Sequence, residues 1–328
     1  PQKNLLRLGL YLALFPKLVM GPIVPYHELE PALAQRTIDA QDVSDGCFRF
    51  TIGLAKKALL ADALAGLVTG IWGNLASLTV LSAWLGLIGY ALQLYFDFSG
   101  YSDMAIGLGR MLGFRFPENF RYPYLCSSIS DFWRRWHISL GSWFKEYLYF
   151  PLGGSRTGTL RTLRNLLLVW LATGLWHGAS WNYVLWGLYF GVLICLEKLL
   201  APRFRAHPRK GLLAELYRPV CLLLAVLGWV LFRAEDLPAA GRYFACLFGG
   251  AAGASAQARL YLHDFWPVLL LGAVGATPLC AKLAGRLGAK LQPGVRAAVQ
   301  AVLVLALLAC STVWLLNGSF QSFVYFQF

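Results

Sequence analysis

Few ionisable residues fall inside the apolar stretches of this chain, and an unpaired charge there is costly, so each is a candidate for chemistry. His177 is the sharpest: it follows the uncharged run Leu166 to Trp176 and precedes a Gly178-Ala179-Ser180 break. A neutral imidazole, with a reference pKa of about 6.5, can take a proton from a hydroxyl near neutral pH. The plain alternative is a structural histidine bonded to neighbouring backbone. His137 closes the segment Asp131-Phe132-Trp133-Arg134-Arg135-Trp136-His137. Helical spacing would put it on one face with Trp133 and Arg134 and would let Asp131 pair with Arg135. Taken alone, that segment suits an interfacial histidine as well as a catalytic one. Asp97 and Asp103 lie in Tyr95-Phe96-Asp97-Phe98-Ser99-Gly100-Tyr101-Ser102-Asp103. Either could orient a histidine, bind substrate hydroxyls, or cap the next helix, and for at least one of them capping is the expected role.

Other chemistries leave no signature. Gly107-Leu108-Gly109 follows no strand and is no dinucleotide loop. There is no phosphate-binding P-loop, no HExxH and no GxSxG, and the 5 histidines are too scattered for a metal site. Seven cysteines occur singly, without a CxxC pair; Cys195, Cys221, Cys246, Cys280 and Cys310 sit in apolar runs as small hydrophobes. Neither a disulfide framework nor a zinc site is expected.

The elements that must carry these residues follow from composition. Of 328 residues, 58% are hydrophobic and 14% charged, and the mean hydropathy is +0.55. A soluble domain carries about a quarter charged residues, so the class is membrane-embedded, and disorder, coiled coil and collagen are excluded. The net charge of +13 comes from basic residues placed between apolar runs. That placement fits positive-inside loops and anionic lipid, or a phosphorylated substrate, better than nucleic acid.

A bilayer core needs roughly 20 helical residues to cross. Ala63 to Phe96 carries no charge and breaks near Gly73-Asn74, leaving Leu78 to Phe96 as one span. Asn165 to Leu196 is interrupted only by His177-Gly178-Ala179-Ser180, and Ala297 to Leu316 is the cleanest span. Shorter runs cover Leu8 to Phe15, Val220 to Phe232 and Phe265 to Ala281. Broken segments at membrane depth must be shielded by protein or line a cavity. The expected fold is therefore all-α: a polytopic transmembrane protein with broken or re-entrant helices around a central cavity, and no repeat of transporter type.

Basic flanks surround the uncharged stretch on both sides: Lys145, Arg156, Arg161 and Arg164 before it, Arg203, Arg205, Arg209 and Lys210 after it. Both ends then lie on one side, and the stretch is a hairpin whose break sits at depth. Thirteen helical residues beyond Arg164 advance about 20 Å, which carries His177 well into the hydrocarbon, among Trp176, Trp181 and Trp186. The middle, Arg110 to Arg164, is dense in aromatics and arginine. Trp133, Trp136, Trp143, Tyr147 and Tyr149 beside Arg134, Arg135 and Lys145 suit helices lying in the headgroup layer, most of them as an aromatic belt with basic anchors. Arg134, Arg135 and Lys145 are also candidates to steer an anionic donor.

Four long segments carry a resemblance: FPKLVMGPIVPY (Phe15 to Tyr26), QLYFDFSGYSDMAIGLGRMLGFRFPENFRYPY (Gln93 to Tyr124), DFWRRWHISLGSWFKEYLYFPLGG (Asp131 to Gly154) and RNLLLVWLATGLWHGASWNYVLWG (Arg164 to Gly187). In order and wording they resemble the membrane-bound O-acyltransferase family, in its bacterial branch containing the alginate O-acetyltransferase membrane subunit. LGWVLFRAED (Leu227 to Asp236) and the terminal FVYFQF (Phe323 to Phe328) are similar to that branch too. The resemblance implies one such domain over residues 1–328, preceded in family members by further spanning helices. It implies that His177, in the WHG motif, is catalytic and that His137, in the RRWH motif, is a second site residue. Substrate-binding candidates around them are Asp97, Asp103, Trp133, Arg134, Arg135, Trp136, Trp176 and Asn182. The implied chemistry uses no metal or resident cofactor; acetyl-CoA or another acyl thioester is a consumed donor. Implied partners are membrane lipid, an extracytoplasmic acetyltransferase related to SGNH hydrolases and, indirectly, a polysaccharide acceptor such as alginate, in the bacterial inner membrane. Transfer of D-alanine from a carrier protein, a transporter with a His177–Asp97 relay, and a non-catalytic scaffold remain open on sequence.

Overall fold

The structure, a computed structural model, describes residues 3–156, 158–205, 212–318 and 323, and their side chains except at 201–205 and 212–214. Among the described residues every regular element is helical. Helix α1 (Leu5–Ala13) starts where the Asn4 side chain accepts from the Leu6 and Arg7 amides. Helix α2 (Tyr26–Ala34) follows Pro25, and α3 (Ala40–Ala55) is capped by Asp39. It passes through a π-helical turn (Lys56–Ala61) into α4 (Asp62–Trp72). The chain breaks at Gly73-Asn74 as the sequence suggests, and α5 (Val80–Met111) restarts after Thr79 and Ser82 exchange capping bonds.

Helix α5 is 32 residues long and does not stop at Phe96. It continues because its acids meet bases rather than water. Lys57 Nζ lies 2.7 Å from both Asp97 and Asp62, and Asp103 binds Arg49 and Lys56 at 2.6 Å. Asp97 and Asp103 are therefore mid-helix ion-pair partners, and neither caps a helix.

The aromatic middle is broken into short pieces: α6 (Ile129–Trp133), α7 (Ile138–Phe144) and a π-helical turn (Lys145–Tyr149). The continuous helix expected through His137 does not form. The Arg121 amide takes the Arg135 carbonyl at 2.9 Å, drawing that carbonyl out of a helical ladder. His137 then adopts a left-handed conformation, φ 46° and ψ 53°, ahead of α7, which is rare and costly for a side chain of this size. Asp131 still pairs with Arg135, at 3.0 Å.

Helices α8 (Thr159–His177) and α9 (Trp181–Arg205) form the expected hairpin, followed by α10 (Leu212–Arg233) and α11 (Leu237–Leu247). Helix α12 (Ala256–Gly275) bends by 67° into α13 (Leu279–Gly288), and α14 (Pro293–Asn317) is the last. The basic stretch Lys282 to Arg296 is mostly helix. In the basic stretch Arg203 to Arg218, residues 206–211 lie outside the described ones, as does most of the terminal FVYFQF. Among the described residues four helices are long and apolar enough to cross a membrane, Val80–Met111, Trp181–Leu200, Glu215–Arg233 and Pro293–Asn317, and the bent α12–α13 pair could make a fifth. On α14, Leu305 and Leu316 are 67% and 80% exposed, as lipid-facing side chains are in a structure without lipid. The chain is a multi-pass helical membrane protein.

The described chain divides into two compact units. The first gathers Pro1–Ala63, Gln93–Phe120 and Pro278–Gln327. There α3 and the later part of α5 cross backbone to backbone: a Cβ on Gly53 would strike the Gly100 carbonyl at 2.5 Å, and one on Gly107 the Gly46 carbonyl at 2.6 Å. The second gathers Leu64–Leu92 and Arg121–Thr277. Its hairpin closes in the same way, with Gly174 and Gly187 of facing helices meeting at contact distance. Glu197 on α9 anchors α6 to this hairpin. Its carboxylate accepts the Ile129 amide (2.5 Å), the Ser130 amide (2.9 Å), the Ser130 hydroxyl (2.6 Å) and the Tyr217 hydroxyl of α10 (2.8 Å). A carboxylate at a helix N-terminus satisfies amides that have no partner within the helix.

Three substitutions test this packing. Glu197→Ala should speed amide hydrogen exchange at Ile129 and Ser130 well before the α8–α9 hairpin is affected; equal exchange at α6 in both proteins would refute the anchoring role. Gly187→Val should destabilise the protein by about 1–3 kcal/mol through overpacking, read as a lower Tm in detergent. Gly241→Ala, where a Cβ meets open space, should leave Tm unchanged or slightly raised.

Candidate active site

The second unit brings both sequence-nominated histidines to one aromatic enclosure. His177 ends α8 and is half-buried. Its ring centroid lies 4.8 Å from Trp176, 5.0 Å from Trp186 and 5.2 Å from Phe232. Trp176 and Trp186 pack on it as expected, although Trp176 is 52% exposed, whereas Trp181, 71% exposed at the hairpin tip, does not cover it. The covering ring is instead Phe232, from the end of α10. His137 is buried, with its ring 6.5 Å from Trp176. Burial, and then the neighbouring His177, holds the His137 imidazole well below the usual histidine range, so it is neutral at pH 7.

Trp133 and Trp136 are part of this enclosure and not of a headgroup belt. Trp133 packs edge-on against Trp170 (4.7 Å), Phe190 (4.8 Å) and Trp186 (5.5 Å), while Trp136 lies 4.8 Å from Trp229. Trp143 and Tyr147, by contrast, are exposed and stack on each other at 5.3 Å. The indole N–H groups of Trp133, Trp186 and Trp229 are buried and meet no hydrogen-bond acceptor. Their rings are mutual neighbours, 5.5–6.3 Å apart. Buried donors without acceptors are few in native proteins, and a cluster of them demands an explanation.

Asn182, the first polar residue after the break, donates from Nδ2 to the Ala234 carbonyl at 2.5 Å. That bond fixes the hairpin tip to the end of α10, and so places Phe232 beside His177. The Asn182 Oδ1 is also buried without a donor. Arg134 and Arg135 are both taken by Asp131, at 3.4 and 3.0 Å. Burial would raise the Asp131 carboxyl, but the Ser127 amide and Arg135 hold it below the usual carboxylate range. Lys145 lies over the Phe150 ring at 5.5 Å.

Asp97 and Asp103 belong to the first unit, where their partners are Lys57, Lys56 and Arg49. That unit also holds a cavity of about 470 Å³ bordered by Arg49, Arg110, Arg115 and Glu118. Its arginines are matched by Asp42, Asp45, Asp103 and Glu118. Among the described residues no group of His, Cys, Asp and Glu could hold a metal ion, and all seven cysteines are free thiols. Sequence reasoning missed Phe232, Trp229 and Glu197. The first two recur three apart in LGWVLFRAED, a one-face spacing that marks a packing stripe without naming its partner. For Glu197 no local signal exists, because its partners lie 20 and 67–68 residues away.

Residues 3–224 match the model of the MBOAT, membrane-bound O-acyltransferase family. The chain is 46% identical to the probable alginate O-acetylase AlgI of Pseudomonas fluorescens over 250 residues, covering 75% of this chain and 49% of that protein. It is 39% identical to a peptidoglycan O-acetyltransferase of Helicobacter pylori over 239 residues, 71% of this chain and 44% of that one. Identity is 31% over 208 residues with a teichoic acid D-alanyltransferase of Bacillus subtilis, 59% of this chain and 51% of that one. The chain thus spans about half the length of the relatives it matches. With two thirds of its residues inside the family model and both histidines in the motifs that carry the likeness, this chain belongs to the membrane-bound O-acyltransferase family.

Proposed function

We propose that this protein is an O-acetyltransferase of the bacterial inner membrane, which passes an acetyl group from a cytoplasmic thioester, acetyl-CoA, towards acetylation of an exopolysaccharide such as alginate. The observation that carries the reading is the meeting of His177 and His137, 40 residues apart in sequence, in one aromatic enclosure. His177 is the general base. It takes the hydroxyl proton as the oxygen attacks the thioester carbonyl, a C–O bond forms, the C–S bond breaks, and the proton passes to the departing thiolate. His137, neutral and fixed ahead of α7, positions one reactant. Water is kept from the thioester by Trp186, Phe232 and the indoles behind them. The acyl thioester is consumed and no resident cofactor is required.

An extracytoplasmic acetyltransferase related to SGNH hydrolases receives or completes the transfer outside. The orientation follows from basic residues: Arg203 to Arg218 and Lys282 to Arg296 face the cytoplasm. Cysteines placed in either stretch should stay unlabelled by an impermeant reagent added to intact cells, and ready labelling would reverse the orientation.

The test of the chemistry is His177→Ala assayed with labelled acetyl-CoA. Loss of a general base costs about 100- to 10,000-fold in rate, with Tm and elution in detergent unchanged. His137→Ala should lose less, and the double variant little more than His177→Ala alone, because groups that act as one unit are non-additive. A folded His177→Ala protein retaining more than about a tenth of wild-type transfer contradicts the assignment. Substrate flux without thioester consumption would make the protein a transporter, and transfer from an aminoacylated carrier alone would make D-alanine its cargo.

A further inference from the structure

Away from His177, the second unit pairs inner indoles with its own backbone. Trp72 Nε1 donates to the Gly86 carbonyl at 3.3 Å, and Trp84 Nε1 donates to the Leu247 carbonyl at 3.1 Å. The indoles around His177 are treated differently. Trp133, Trp186 and Trp229 come from three separate helices, α6, α9 and α10, and none of their buried N–H groups meets an acceptor. Trp186 and Trp229 lie within helices long and apolar enough to span, where lipid supplies no partner either.

Trp186 packs directly on the His177 imidazole, at 5.0 Å between ring centroids and 85° between planes. It is 1% exposed and neighbours the other two indoles, 5.5 Å from Trp133 and 6.3 Å from Trp229. The ring is held on several sides, by Phe232 at 5.2 Å, Phe190 at 5.5 Å and Trp170 at 6.1 Å. Its backbone is held as well, because Gly187, the next residue, is pressed against the Trp170 carbonyl where a Cβ would not fit.

An indole N–H donates and never accepts, so the partner this group lacks is an acceptor. The face of a perpendicular ring can take part of such a bond, but that contact is second-order and does not explain why three orphaned donors gather at one histidine. A fixed, neutral donor in a dry site costs no reorganisation when negative charge appears beside it. The reaction produces that charge. As the hydroxyl oxygen attacks the thioester carbonyl, its proton passes to His177 and the carbonyl π pair moves onto the carbonyl oxygen. Collapse restores the C=O bond, the sulfur leaves with the C–S pair, and the thiolate takes the proton back from His177. Between the two steps the former carbonyl oxygen is an anion, formed beside the imidazole on which Trp186 packs.

Resting on the acetyl-transfer reading above, we propose that the Trp186 indole N–H is the hydrogen-bond donor that stabilises this oxyanion, which makes Trp186 a catalytic residue. The test removes the donor and keeps the ring. Trp186→3-benzothienylalanine, placed in the full chain by codon reassignment, puts sulfur where the N–H was. Loss of one oxyanion donor costs about 100- to 1,000-fold in rate, and with two further indoles close by, kcat for transfer from labelled acetyl-CoA should fall at least about tenfold. The donor KM should stay within about twofold, because the bond is made in the transition state. Tm in detergent should hold or rise, since a buried donor without a partner has been removed. The same exchange at Trp84, whose N–H is bonded, should lower Tm and leave kcat unchanged. A kcat loss smaller than about tenfold, a loss that comes with a lower Tm or a matching rise in KM, or an equal loss from the Trp84 exchange would each overturn the proposal. A wild type that consumes no acetyl-CoA would sink the acetyl-transfer reading and the donor role with it. An active wild type beside an equally active Trp186 exchange would sink the donor role alone.

Discussion

Every polar group that leaves water inside this helical body must find its partner within the protein, because lipid supplies none. Most of the structure can be derived from that constraint. Lys57 sits between Asp62 and Asp97, so α5 runs through a position where a bare carboxylate would end it. Glu197 collects the first amides of α6 together with two hydroxyls, so a five-residue helix is held between α9 and α10. Asn182 closes the hairpin tip onto α10. Apart from Lys57–Asp62, each of these bonds joins residues at least 20 apart in sequence and fixes one element against another, which side-chain packing between smooth apolar helices does less well.

The exceptions to the rule are as informative as the cases that obey it. The buried donors and acceptors left without partners include the indoles of Trp133, Trp186 and Trp229 and the Asn182 Oδ1. These four lie on the elements around His177. An orphaned buried polar group costs about 1–3 kcal/mol, so such a concentration is sustained where a polar guest completes the bonding. A thioester carbonyl and an acceptor hydroxyl are guests of that kind. The left-handed backbone at His137 belongs to the same region, and strain of this sort is retained where the surrounding structure over-determines it.

The fold class was legible in the sequence because composition alone excludes a soluble domain, and the α8–α9 hairpin because the charge-free run from Asn165 to Leu196 has a single polar break. His177 stood out for the same reason. What was not legible depended on contacts between distant segments. The end of the span at Phe96 was misplaced because the partner of Asp97 lies 40 residues earlier. The helix through Trp136 failed because Arg121, outside the motif, takes the carbonyl of Arg135. Trp181 looked like a neighbour of His177 from its spacing, but a turn at Gly178 with φ 158° sends it outward, and Phe232 covers the imidazole instead. Periodicity reads faces of single helices and is blind to which face meets which.

The central claim is that the two histidines share one reaction chamber for an acyl thioester. The most direct measurement is an experimental structure of the full chain bound to a non-hydrolysable thioether analogue of acetyl-CoA. The account predicts the acyl end inside the enclosure of Trp133, Trp186 and Phe232, with the His177 and His137 imidazoles both within hydrogen-bonding reach of it or of one bridging water. An acyl end seated elsewhere, for instance in the first unit's cavity beside Arg49 and Arg110, with the enclosure around His177 empty, would contradict it.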